Sequence, residues 1–294
     1  MSLFESGEST GEVSLSALFN NPQCTVRGKS SLSLDDIAFL ICRGGWPLAL
    51  DVPQNEALKY AADYVDTVIK EDVSRGDGVR RNPSLVRALM KSLARNQGFQ
   101  VTIETLIDDI SVNETMESSR NTISSYIAAL KKIFVIEDME AWNPNLRSKT
   151  ALRTSDTRYF IDPSIATASL RLGPGDLVTD LETMNFMFET LAVRDLRVYA
   201  DALDADVYHY RDRSGLECDA VIHCRNGKYG LIEVKLGGDR NIEKGAESLK
   251  ALAECIDSDK MNAPSFLMVL TAVGNMAYRR PDGVLVVPIG ALKN

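Results

Sequence analysis

Asp219, Glu233 and Lys235 are the residues whose types and spacing invite chemistry. The stretches ECDAVIHC (Glu217 to Cys224) and GLIEVK (Gly230 to Lys235) read as apolar strands, yet each carries acid. Glu and Lys are rarely fully buried unless paired or bound to something. Gly227 marks a turn between the two stretches, which makes them neighbours. Alternation puts Glu217 and Asp219 on one face with Val221, and Glu233 and Lys235 on one face of the next strand. Asp219 and Glu233 then come within reach of one metal ion. Glu189 interrupts the apolar stripe Phe186, Met187, Leu191 and Val193. A helix packed on the sheet would aim that third carboxylate at the strand ends.

Clustered carboxylates repel, and Mg²⁺ or Mn²⁺ relieves the repulsion while accepting hard oxygen ligands. Such an ion polarises a phosphate oxygen and lowers the pKa of a bound water. Lys235 would orient that water or neutralise charge growing on phosphorus. The arrangement suits phosphodiester hydrolysis, with Asp219, Glu233 and Glu189 as ligands and Lys235 as the assisting cation. The plainer reading of the same residues is a cross-strand salt bridge.

The elements that must position these groups follow from periodicity and turn residues. From about residue 155 the chain reads as a strand (TRYFIDPSIA), a long helix, three strands, a helix and two strands, an α-β-β-β-α-β order. Residues 83–150 read as three helices followed by strand, turn and strand, the winged-helix order, with Ser119 to Lys132 as its recognition helix. Between Pro83 and Glu140, six Lys and Arg stand against eight Asp and Glu, which is a poor balance for a DNA reader. Residues 1–82 form an irregular lead and helical linker. Ser33 is placed as the cap of a helix that stops at Gly44 and Gly45.

Composition narrows the classes. The chain has 294 residues, which suggests two domains with a helical linker, and its 45% hydrophobic and 25% charged content is ordinary for a globular protein. Its net charge of −8 argues against general polyanion binding. Cys24, Cys42, Cys218, Cys224 and Cys255 form no CxxC, and only His209 and His223 could join them, so zinc is not expected. Reduced thiols in a cytoplasmic protein are the expectation. No apolar run approaches the roughly 18 residues of a membrane span. Gly28-Lys29-Ser30 has the tail of a phosphate loop, but Gln23 stands where the loop glycine belongs, so no ATP site is expected.

ECDAVI followed by IEVK resembles the motif of the PD-(D/E)XK nuclease superfamily. An ordered series, CRGGWPLAL, YVDTVIKEDV, TISSYIAALKKIFVIEDMEAW, TRYFIDPSIA, FMFETLAVRDL, ECDAVI and IEVK, resembles the C-terminal half of bacterial and archaeal AAA-type ATPases of unknown function. The resemblance runs from about Asp35 onward. In that family a P-loop ATPase domain comes first, and MSLFESGEST resembles its end, so the chain reads as a truncated or degenerate member. Asn185 stands where the family often has Gly, and SDTRYF lacks a Lys that often precedes the aromatic strand.

The resemblance implies an α/β (α+β) fold: a helical and winged-helix N-terminal part, then a PD-(D/E)XK-like domain over residues 151–294 with a central mixed sheet. It carries Glu189, Asp219, Glu233 and Lys235 as site residues, with Mg²⁺ or Mn²⁺ as cofactor and Glu217 nearby. It implies an ATPase domain as partner in cis and nucleic acid as substrate. The rival expectation is a protein-interaction scaffold with a degenerate nuclease fold and no catalysis.

Overall fold

Side-chain caps fix where the helices begin. In the computed structural model, which describes residues 1–75, 78–144, 155–257 and 259–294, Ser33 and Asp36 cap each other reciprocally at the helix Leu34–Arg43. Asn82, Thr102 and Ser119 each accept a backbone N–H at the start of a later helix. Asp180 does the same for a 21-residue helix through the Thr183 N–H.

In chain order the positioning elements are β1 (Gly28–Lys29), α1 (Leu34–Arg43), α2 (Lys59–Thr67), α3 (Pro83–Arg95), α4 (Ile103–Asn113), α5 (Arg120–Lys132) and β2 (Ile136–Met139). They continue as β3 (Thr157–Phe160), α6 (Pro163–Leu170), α7 (Leu181–Asp201), β4 (Ala205–Arg211), β5 (Glu217–Cys224) and β6 (Tyr229–Lys235). Helix α8 (Asp239–Cys255), β7 (Phe266–Thr271), β8 (Met276–Arg279) and β9 (Leu285–Pro288) complete the set. The class is mixed α/β, as the sequence implies.

The chain divides into two compact units. One comprises Met1–Ile37, Met139–Asp156 and Leu191–Asn294, and the other Ala38–Asp138 and Thr157–Thr190. The first 37 residues therefore group with the C-terminal sheet, whereas the sequence reading sets 1–82 apart as lead and linker. The expected boundary at 150 lies outside the described residues.

The first unit is built on a seven-stranded mixed sheet in the order β1-β8-β9-β7-β6-β5-β4. Strands β4, β5 and β6 are antiparallel neighbours. Strand β7 is parallel to β6, because α8 carries the chain back across the sheet before it re-enters. Tyr229 and Leu231 of β6, Val221 of β5 and Val269 of β7 form a core with Ala246, Leu249 and Leu252 of α8. Gly28-Lys29 pairs with Ala277 and Met276 as a sheet strand rather than forming a loop.

In the second unit, α3, α4 and α5 are followed by β2, which pairs with β3 in a two-stranded sheet. Helix α6 packs against α2 and α3. The sequence reading takes the DPSIA stretch as a turn. It is the start of α6, with Asp162 as cap and Pro163 in the first turn. Asp162 also accepts the Gly45 N–H at 2.8 Å, and Ser164 Oγ accepts the Trp46 indole N–H at 2.9 Å. Gly44 lies at φ +73, where a Cβ would stand 2.3 Å from Ser164 Oγ. The RGGWP and DPS motifs thus meet as one structural joint.

Candidate active site

Strands β5 and β6 run antiparallel, so the start of one lies beside the end of the other. Their paired residues reach Ala220 opposite Ile232. Asp219 and Glu233 are the next residue on each strand and stand at the same end of the sheet. Beyond the ladder, the Val234 N–H needs another acceptor, and Asp219 Oδ2 takes it at 2.7 Å. Asp219 is thereby fixed by backbone as well as by charge.

Strict alternation does not hold along β5. Tyr208 pairs with Val221 but Tyr210 pairs with Cys218, so β5 carries one extra residue there, a β-bulge. The expectation that Glu217 shares one face with Asp219 and Val221 is corrected by that bulge. Cys218, not Glu217, joins Val221 in the core, and Glu217 is exposed and faces Arg211 at 3.5 Å. A bulge next to a site re-aims side chains in this way.

Glu233 is 3% exposed. Its Oε2 lies 2.6 Å from Lys235 Nζ, and the same ammonium lies 3.2 Å from Asp219 Oδ2. Glu233 Oε1 is buried with no hydrogen-bond partner among the described residues. Burial first and the Asp219 charge second push the Glu233 carboxyl well above the usual carboxylate range, and Lys235 offsets only part of this. Burial works against the Lys235 charge, but Asp219 and Glu233 outweigh it and hold the ammonium above its ordinary value. The cluster has two acids for one lysine, so with both acids ionised it carries an excess of negative charge. An orphaned buried carboxylate oxygen beside a second carboxylate fits a hard cation.

Glu189 sits in the second unit, where it accepts a 2.6 Å hydrogen bond from the Tyr159 hydroxyl on β3. Asp219, Glu233 and Lys235 are brought together in the first unit. Among the described residues, no group of three or more His, Cys, Asp and Glu side chains gathers as a metal-holding cluster.

Two neighbours escape the sequence reading. Gly245 of α8 lies over Glu233: a Cβ there would stand 3.4 Å from Glu233 Cβ and 3.2 Å from Val269 Cγ2. The small pair Gly245-Ala246 inside a helix was the available signal. Cys218 lies beneath the acids, its Sγ 3.3 Å from the carbonyls of Ala220 and Ile232. Burial, then the charges of Glu233 and Asp219, push this thiol up, so it is inert rather than nucleophilic. All five cysteines are free. A cavity of about 300 Å³ opens beside α8, lined by Tyr229, Ala253, Ile256, Met261, Pro264 and Leu267 among others, and none of the four candidates lines it.

No helix among the described residues is long and apolar enough to cross a membrane. No curated protein matches the chain. Residues 34–176 match a domain of unknown function, DUF8612, and residues 184–292 match a second, DUF4143. The chain thus resembles two domains of unknown function in tandem, and Glu189, Asp219, Glu233 and Lys235 all fall within the second match.

Proposed function

We propose that this chain is the C-terminal module of an AAA-type ATPase-family protein, and that its sheet unit is a metal-dependent, nuclease-like domain acting on nucleic acid in the cytoplasm. The observation that carries the reading is Glu233 Oε1: buried, without a donor, and beside a second carboxylate and a lysine at the end of two strands. The DUF4143 match supports the ATPase connection, since that domain commonly ends ATPase-associated proteins.

Asp219 and Glu233 would hold Mg²⁺ or Mn²⁺. When bound, the ion would supply a Lewis acid for a phosphate oxygen and acidify a water. The chain's own residues do the rest. The Val234 N–H holds the Asp219 carboxylate in one orientation. The face of α8 at Gly245 excludes water from Glu233. Lys235 offers a cation to the negative charge that grows on phosphate in the transition state.

A second reading, a scaffold that binds a partner protein without catalysis, draws on a different observation. The basic residues of the winged-helix stretch largely pair with acids of the same stretch. Lys91 and Arg95 pair with Glu114, Arg95 also with Asp109, Arg120 with Glu104, and Lys131 with Asp138. A DNA reader needs such cations for phosphates. Plasmid nicking and cleavage of short single and double strands, with Mg²⁺ or Mn²⁺, separates the readings. The nuclease reading expects metal-dependent cleavage that Glu233→Gln lowers by about 10²-fold or more. A folded protein that never cleaves leaves the scaffold.

A further inference from the structure

The Lys235 ammonium occupies the place between the two acids that a divalent ion would need. It touches Glu233 Oε2 at 2.6 Å and Asp219 Oδ2 at 3.2 Å, while its side chain keeps 26% of its surface exposed. The net charge of the cluster depends on which cation it holds. With both carboxylates ionised, they and the ammonium sum to −1. With a divalent ion added and the ammonium retained, the cluster sums to +1. With the ion bound and the ammonium gone, it sums to zero. A divalent ion and an ammonium on the same pair of carboxylates repel one another, and the repulsion is strong where water is excluded. Lysine is suited to leaving, because its charge rides on a flexible four-carbon stem and is strongly hydrated once free.

We propose that Lys235 is a built-in counter-cation which a divalent ion must displace, and that the displaced ammonium is what meets an incoming phosphate. The inference rests on the metal-dependent reading of the site and adds an order to it. Lys235 closes the site, a divalent ion would have to displace it first, and only then would Lys235 be available to an anionic substrate. The lysine would therefore weaken metal binding while serving catalysis, the reverse of a lysine that merely supports the acids.

Mn²⁺ titrated by calorimetry into the wild type and Lys235→Met tests this. Removing the competing cation should tighten Mn²⁺ binding by about tenfold or more. A second measurement needs no variant. Acetylation by an N-hydroxysuccinimide ester, read by mass spectrometry, should modify Lys235 several-fold faster when Mn²⁺ is present than when it is absent. Equal or weaker Mn²⁺ binding by Lys235→Met overturns the proposal, as does Mn²⁺ saturation that leaves Lys235 acetylation unchanged. If Lys235→Met does not fold, the acetylation result decides. If the wild type binds no Mn²⁺ at all, the metal-dependent reading falls too, which distinguishes the two failures.

Discussion

At Glu233 burial and a neighbouring carboxylate both work against the charged form of the side chain. Its raised pKa means that the folded chain holds the proton more tightly than the unfolded chain does. Stability from this group is therefore full at low pH and is lost as pH rises above the ordinary glutamate value of 4.5. Asp219, Lys235, Glu217 and the Cys218 thiol are the titratable groups around it. Glu233→Gln removes the titration while keeping the shape. Without divalent ions, the melting temperature of the wild type should fall more than that of Glu233→Gln between roughly pH 5 and 8, by about 2–4 °C, the scale of about 1 kcal/mol in a protein of this size. Parallel pH profiles would mean that Lys235 keeps Glu233 ionised throughout. The residue types of this cluster were legible in the sequence, because charge inside an apolar run demands a partner. The hydrogen bond from Val234 N–H to Asp219 was not, because it depends on where the β5–β6 ladder stops.

Elements were legible where periodicity and caps agreed. Ser33, Thr102 and Gly227 mark boundaries that the structure shares, and the succession of strands β4 to β6, α8, β7 and β9 was readable from alternation and turns. The short helix α6 was not, because Asp-Pro-Ser serves a turn and a helix start equally well. The bulge in β5 was hidden as well. An extra residue is invisible to a period-2 pattern when Cys218 can be buried as readily as its neighbours. The approach of α8 to Glu233 is the element-scale feature most open to test. Gly245→Val puts methyl groups where even a Cβ meets Val269 Cγ2 at 3.2 Å. It should destabilise by about 1–3 kcal/mol through overpacking, read as a lower urea midpoint at unchanged slope. An unchanged midpoint would show that α8 moves aside freely and does not define the wall of the site.

For the whole molecule, the class was readable, but the grouping was not. Nothing in Met1 to Ile37 as a sequence says that Gly28-Lys29 closes the far edge of a sheet whose other strands lie beyond residue 204. Such pairing is non-local, and local patterns carry no record of it. The net charge of −8 and the internally paired bases of α3 to α5 direct attention away from a broad nucleic-acid surface and toward the acidic end of β5 and β6. The central claim is that this end takes up a divalent ion. Calorimetric titration of Mn²⁺ into the wild type and Asp219→Asn tests it most directly, since Asn keeps an acceptor for the Val234 N–H and deletes only the charge. One saturable site in the wild type, weakened by about tenfold or more in a variant that still melts cooperatively, is the result expected. Identical heats in the two proteins would contradict it.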